Sequence, residues 1–179
     1  MLKTLALFVL MLVVLATAGL AIYAATKPDS FRVERRTVIQ APPEKIYPLI
    51  NDLQAFTSWS PYDRKDPAMK RSFSGPQAGP GALYAWDGNR EIGAGSMQIV
   101  ESRAPDKVLV KLDFVRPFKV QNHVEFLLAP QPAGTEVTWA MHGPSPYVSK
   151  LMGTIFDMDK MIGRDFEAGL ANLKALAEK

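Results

Sequence analysis

The sequence contains no cysteine and only two histidines, and these absences remove several classes of function. Without cysteine there is no disulfide framework, no thiol nucleophile and no cysteine-based zinc site. His123 and His142 fall by alternation on the polar side of their predicted strands, so we predict two exposed side chains and no metal site. The serines show no nucleophile-elbow pattern. We therefore predict no catalytic residue and no cofactor.

A strong excess of one charge is also missing. The chain has 21 Lys and Arg against 18 Asp and Glu, which gives a formal net charge of +3. The basic residues are not gathered into a stripe, so binding to nucleic acid is not expected. The 179 residues, 47% hydrophobic and 22% charged, fit one globular domain with a short appendage. A chain of this length can bury enough surface to fold without a disulfide or a metal.

The N-terminal segment has no charged residue from Thr4 to Thr26. At about 1.5 Å per residue, such a helix can cross a hydrocarbon core of about 30 Å. We predict that residues 1–26 form a single-pass N-terminal membrane anchor. The alternative is a cleaved signal peptide and an exported protein, because Lys3 forms a basic start and Ala16-Thr17-Ala18 or Gly19-Leu20-Ala21 could be cleaved. The charges flanking the segment do not decide the side of the membrane.

Residues 27–179 form the second predicted domain. Phe31–Ile39 alternates apolar and polar residues and predicts a strand. Two short helices should follow, from Glu44 to about Asn51, with Pro48 inside, and then after a cap at Asp52. A period of two then predicts six strands joined by short turns, namely Ala68–Ser74, Gly81–Trp86, Gly95–Ser102, Lys107–Phe114, Lys119–Ala129 and Thr135–His142.

The period changes again after the last strand. Ser145 can cap a helix, Pro146 suits its first position, and apolar residues recur at helical spacing for about thirty residues, to Leu173. No helices separate the later strands, which excludes a doubly wound parallel sheet. We predict the α+β class, with a curved antiparallel sheet of about seven strands, two short helices and a long C-terminal helix that the sheet grips.

The candidate site residues lie on the strand faces that would look at this helix. Large aromatic and flexible Met side chains can fill a core or line a cavity; here they are Tyr84, Trp86, Met97, Phe114, Phe126, Trp139 and Met141, with Met152 and Phe156 on the helix. Asn122 is the polar member of this face and would be costly there unless it is hydrogen-bonded. It could orient the polar head of a ligand, or pair with a neighbour or water.

Four stretches of sequence resemble the SRPBCC superfamily: VIQAPPEKIY from Val38, WSPY from Trp59, GPGALYAW from Gly79 and FEAGLANL from Phe166. The resemblance spans about Phe31 to Lys179. It implies the helix-grip fold of START domains, the birch-pollen allergen and the polyketide cyclase/dehydrase group. It also implies a cavity between sheet and helix for an apolar ligand. Trp59 and Tyr62 would then lie at the cavity mouth, as a gate or as a plug of the open end.

These observations predict a membrane-tethered domain that binds an apolar or lipid-like small molecule. Two alternatives remain. One is an enzyme like the polyketide cyclases and dehydrases, with a few acid and base groups in the cavity. The other is a module that regulates a membrane partner. The oligomeric state is left open.

Overall fold

The computed structural model describes residues 2–179 and contains six helices and seven strands over that range. In chain order they are α1 (Leu2–Ala25), β1 (Ser30–Ile39), α2 (Pro43–Asn51), α3 (Leu53–Trp59), α4 (Pro61–Lys65), β2 (Lys70–Ser74), β3 (Leu83–Asp87), β4 (Ala94–Arg103), β5 (Lys107–Arg116), β6 (Val120–Gln131), β7 (Gly134–Pro144), α5 (Tyr147–Ile155) and α6 (Met158–Ala177). The predicted α+β class is confirmed.

The seven strands form one antiparallel, curved sheet in the order β1-β7-β6-β5-β4-β3-β2. Strands β2 to β6 each pair with the next strand along the chain, as short turns require. β1 is the exception, because the first strand lies beside the last. The sheet is therefore open, with β1 and β2 at its edges.

The short helices follow from local sequence signals. Pro43 begins α2, and Glu44 lies in its first turn, where its charge favours the helix dipole. Asp52 caps α3 as predicted, since its carboxylate accepts backbone N–H bonds from Gln54 at 2.8 Å and Ala55 at 3.2 Å. The third short helix, α4, was not predicted.

The prediction of one continuous closing helix is wrong. Phe156 has an extended backbone, with φ of −115° and ψ of 136°, and this ends α5 before α6 begins at Met158. Ser145 is not the cap of α5, because Pro146 occupies that position without a side-chain hydrogen bond. The long C-terminal helix itself is confirmed, as α6 has 20 residues.

The contacts divide the chain into two compact units. The first contains the residues up to Phe31 together with Pro144–Met158, and so includes α1 and α5. The second contains Arg32–Gly143 and Asp159–Lys179, and so includes nearly all of the sheet, α2 to α4 and most of α6. The predicted boundary between residues 26 and 27 stays a prediction.

Helix α1 is long and apolar enough to cross a membrane. The most apolar stretch of 18 residues within Lys3–Ala25 has a mean hydropathy of 2.8, and none of that stretch is buried against the other described residues. A signal sequence or the core helix of a soluble protein can have the same length and composition. The helix is therefore confirmed, and its role as an anchor stays a prediction.

In the second unit, α6 packs closely on the sheet. The rings of Trp139 and Phe166 stack with their centroids 4.2 Å apart and 10° between their planes. Arg35, on β1, donates to Asp159 at 2.9 Å and Glu167 at 2.7 Å, and so links the edge strand to α6. These contacts hold the helix across the sheet.

We expect the Gly169→Ala variant to lower the free energy of unfolding by about 1–3 kcal/mol through overpacking. A Cβ at Gly169 would lie 2.5 Å from Cζ3 of Trp139 and 3.1 Å from Pro61. The matched control is Gly153→Ala, where no described atom beyond the neighbouring residues and the helix's own backbone lies within 4 Å of the added Cβ. Denaturant unfolding of the full chain in mild detergent, followed by circular dichroism, measures both. Equal stability of the two variants would contradict the close approach of α6.

Candidate ligand-binding face of the sheet

The strand register places eight of the predicted site residues on one face, here called the inner face. Tyr84 pairs with Met97, Met97 with Leu112, and Leu112 with Asn122, so these side chains project to the same side. By the same alternation the inner face also carries Trp86, Phe114, Val124, Phe126, Trp139 and Met141. Alternation in the sequence therefore predicted correctly which strand residues share this face.

Part of the inner face is a packed aromatic cluster. Its members are Phe56, Trp59, Phe126, Trp139 and Phe166, whose exposed fractions lie between 1% and 3%. Trp59 contacts Phe56 edge-on at 4.7 Å between centroids and Trp139 at 5.5 Å. Its indole N–H donates to the Leu49 carbonyl at 2.8 Å. Trp59 is thus a buried member of this cluster, and its role as a gate or a plug stays a prediction.

A second aromatic group lies on β2 to β5 and is more open. Phe73 stacks on Tyr84 at 5.0 Å, Tyr84 contacts Trp86 at 5.9 Å, and Trp86 meets Phe114 edge-on at 5.8 Å. Phe73 is 39% exposed, and Trp86 and Phe114 are partly exposed. Gly95 leaves room for Trp86, since a Cβ there would lie 2.7 Å from Cζ2 of the indole. An apolar molecule could reach these rings from solvent.

Asn122 is the notable polar side chain of the inner face. It is 4% exposed, and its side-chain carbonyl oxygen has no hydrogen-bond partner among residues 2–179. Asn122 lies against Gly143 on β7, where any Cβ would overlap its amide. A buried acceptor without a partner costs about 1–3 kcal/mol. A donor from a ligand or a water molecule could satisfy this acceptor.

The sequence reasoning missed a polar cluster beside the second aromatic group. Asp63 on α4 accepts from Arg71 Nε at 2.7 Å and from the Tyr84 hydroxyl at 3.2 Å, and its side chain is 9% exposed. Arg71 and Phe73 are in register with Trp86 and Tyr84. Alternation along β2 could have indicated that Arg71 lies on the inner face. The connection between β2 and β3 is long, however, and leaves the pairing of the two strands undetermined from sequence. Nothing in the sequence pattern indicated Asp63.

Two tyrosines near this cluster hold their protons strongly. Burial, with Asp63 nearby, raises the pKa of Tyr84 well above its usual range. Burial, with Asp165 nearby, raises the pKa of Tyr62 in the same way. Tyr62 lies on α4, with the Lys65 ammonium 5.7 Å from the centre of its ring. Both phenols are neutral hydrogen-bond donors at physiological pH.

We expect these two phenols to ionise only above the pH of about 10 at which free tyrosine titrates. Since the folded state keeps the protons that the unfolded state loses, the contribution of these two groups to stability should be constant below pH of about 10 and fall above it. Absorbance at 295 nm during alkaline titration of the full chain measures the ionisation. The Tyr62→Phe and Tyr84→Phe variants should each remove part of the late absorbance rise. A late rise unchanged in both variants would contradict the assignment.

The two remaining predicted site residues belong to the first unit. Met152 and Phe156 lie in and just after α5, where they are 42% and 48% exposed. Their role in ligand binding stays a prediction.

The described residues offer no metal centre. Within residues 2–179 no three side chains of His, Asp or Glu come together in a way that could hold a metal ion. His123 and His142 are cross-strand partners with stacked rings 5.6 Å apart. By alternation they lie on the face opposite Asn122 and Met141, as predicted.

Comparison with known proteins identifies the fold family. The model of the family described as "Polyketide cyclase / dehydrase and lipid transport" matches residues 30–178. No protein of curated function matches the sequence. Protein CV1439 from Chromobacterium violaceum has 17% identity and a TM-score of 0.60, with 86% of this chain and 99% of that chain covered.

Two other structures are similar at the level of the fold. Ara h 8.0201 has 9% identity and a TM-score of 0.57, covering 83% of this chain and 97% of that one. The di-domain ARO/CYC BexL from the BE-7585A biosynthetic pathway has 13% identity and a TM-score of 0.60, covering 88% of this chain and 53% of that one. Over residues 30–178 the chain belongs to the polyketide cyclase/dehydrase and lipid transport family of the SRPBCC superfamily.

Proposed function

We propose that this protein binds an apolar or lipid-like small molecule on the inner face of its sheet, and that α1 tethers it to a membrane. The apolar part of the ligand would lie against Trp86, Phe114 and Met97. Its polar head would reach Asn122. SRPBCC domains generally bind hydrophobic small molecules, which supports this class of ligand.

The unpartnered carbonyl oxygen of Asn122 is the observation that carries the proposal. A fully apolar core would be more stable without it, because burying an unpaired acceptor is costly. Gly143 has no side chain that would displace the amide. The ligand that fits is therefore mostly apolar with one hydroxyl or amide donor. Such a small number of polar groups in an apolar site fixes the orientation of a ligand.

The tether is supported by the surface of α1. Leu5 to Leu15 includes large apolar side chains that are 49–66% exposed, and a water-exposed apolar surface of this kind is unfavourable. A bilayer would cover it, because 24 residues extend about 36 Å. The tether would keep the binding face close to a source of lipid-like molecules.

Ligand extraction tests the proposal. Residues 27–179 are expressed without α1, purified without detergent, checked for folding by circular dichroism, and analysed by native mass spectrometry and organic extraction. A co-purifying apolar molecule of defined mass is expected, and less of it with Asn122→Leu than with Phe118→Ala, whose side chain is 64% exposed in the native chain. The full chain in an amphipathic polymer serves if the segment does not fold. An empty protein that gains no mass from lipid extract would overturn the proposal.

A second candidate function is acid–base catalysis, favoured by the contact of Tyr84 and Asp63. The Asp63 carboxylate is the group that would take a proton from a substrate, and the Tyr84 hydroxyl and Arg71 that donate to it would position it. Solved structures of ARO/CYC proteins share the fold. Incubation with a short poly-β-ketone, followed by mass spectrometry, tests this. Turnover that is lost in Tyr84→Phe while ligand affinity is kept would support an enzyme, and absence of turnover would reject it.

A further inference from the structure

Helix α5 is fixed to the end of α1 by contacts within the first unit. The Tyr147 hydroxyl donates to the Ala21 carbonyl at 3.1 Å. Lys27 Nζ donates to the Gly153 carbonyl at 2.5 Å. Lys27 therefore holds the C-terminal part of α5, and Tyr147 holds its N-terminal end.

The link between the helices adds to this attachment. The backbone N–H of Ser145 donates to the Asp29 carbonyl at 2.7 Å, and Lys150 Nζ donates to the Asp29 carboxylate at 2.5 Å. Lys150 is only 9% exposed, and Ala24 on α1 is fully buried. The side of α5 that carries Lys150 is thus its packed side.

The opposite side of α5 is apolar and uncovered. Val148, Met152 and Ile155 follow each other at helical spacing and are 56%, 42% and 62% exposed. Phe156 extends the same surface and is 48% exposed. Interfacial helices place an exposed apolar side of this kind in the boundary between headgroups and acyl chains.

The depth of α5 along α1 matches such an interface. Ala21 lies four residues before the end of α1, which is about 6 Å along the helix axis. Interfacial helices bury their apolar side about 5–10 Å into the boundary between headgroups and acyl chains. Tyr23 and Lys27 mark the same level, with the ammonium 5.5 Å from the ring centre. Tyr and Lys are common at this depth of a bilayer.

We propose that α5 is an interfacial helix that inserts Val148, Met152 and Ile155 into the bilayer surface at which α1 ends. The proposal rests on the membrane tether proposed above. A lipid surface is the occupant that fits, because the uncovered side of α5 belongs to the same compact unit as the apolar surface of α1. The chain passes between the two units near residues 31, 144 and 158. With both α1 and α5 at the membrane, all three of these crossings would connect the binding domain to the bilayer, and not only the one after α1.

The absence of cysteine makes the test direct. Single Cys variants of the full chain are labelled with an environment-sensitive fluorophore and reconstituted into phosphatidylcholine and phosphatidylglycerol vesicles. The labelled variants are Met152→Cys, Ile155→Cys, Leu12→Cys as the probe of α1, and Ala133→Cys as the water reference. Ala133 is an exposed residue in the turn between β6 and β7. Quenching by spin-labelled lipid and by aqueous iodide is then compared.

We expect labels at residues 152 and 155 to be blue-shifted, quenched by a spin label near the headgroups, and protected from iodide at least threefold relative to residue 133. A label at residue 12 that is quenched by lipid, with residues 152 and 155 open to iodide, would overturn the interfacial helix alone. A label at residue 12 that is not quenched by lipid would overturn the tether. Protection of residues 152 and 155 without lipid quenching would assign the surface to a protein partner and would also overturn the proposal.

Discussion

The Trp139→Ala variant should lose about 3–5 kcal/mol of unfolding free energy, which is typical of a large aromatic side chain removed from a core. Trp139 is 2% exposed and stacks on Phe166 at 4.2 Å. It also contacts Trp59 and Phe126, with centroids 5.5 Å and 5.2 Å away. The truncation therefore opens a cavity where α6 meets the sheet. Denaturant unfolding of the full chain in detergent, followed by circular dichroism, measures the loss.

Two control variants make this result specific. Trp139→Phe keeps a ring against Phe166 and removes an indole N–H that has no partner in the described part of the chain, so it should cost far less than the Ala variant. Phe118→Ala truncates a side chain that is 64% exposed and should change stability by less than about 0.5 kcal/mol. If Trp139→Ala were as stable as Phe118→Ala, the aromatic cluster would not be the core of this unit.

The Asn122→Leu variant should move stability and ligand binding in opposite directions. Without ligand, the change removes a buried acceptor that has no partner, so the protein should gain about 1–3 kcal/mol. The same change removes the proposed contact with the ligand's polar head, so affinity should fall roughly 5- to 150-fold, equivalent to about 1–3 kcal/mol. Thermal unfolding without ligand and titration with the extracted ligand measure the two effects.

Any other combination of changes in stability and affinity would show which assumption about Asn122 is wrong. If Asn122→Leu lost stability without ligand, the amide would have a partner such as a bound water, and its role would be structural. If stability rose and affinity did not change, the ligand's polar head would lie elsewhere. Phe118 is 64% exposed, so the Phe118→Ala variant should change neither stability nor ligand affinity.

Much of the fold could be predicted because its signals are local. The period of two from residue 68 to 142 gave six strands, and alternation alone put Tyr84, Met97 and Asn122 on one face. The cap at Asp52 could also be predicted, because its side chain hydrogen-bonds to the first turn of the helix and depends on no distant residue.

The errors occurred where distant contacts decide the local structure. Apolar residues at helical spacing run through Ile155 and Ile162, so periodicity predicted one helix. The chain instead breaks at Phe156, and α5 joins Lys27 and Asp29 in the first unit. Asp63 and Arg71 were missed for the same reason, because their meeting with Tyr84 depends on how α4 lies against β2 and β3.

The place of β1 beside β7 bears on the order in which the protein can assemble. Synthesis at about 5–20 residues per second means that β1 waits about 5–20 seconds for the roughly 100 residues before its neighbour. Closing a loop of about 100 residues costs about 4 kcal/mol of chain entropy, so this pairing forms late and slowly. Helix α1 leaves the ribosome before either strand. A tethered chain would therefore complete its sheet only after its N-terminus had reached the bilayer, and the nascent domain would finish folding at the membrane surface.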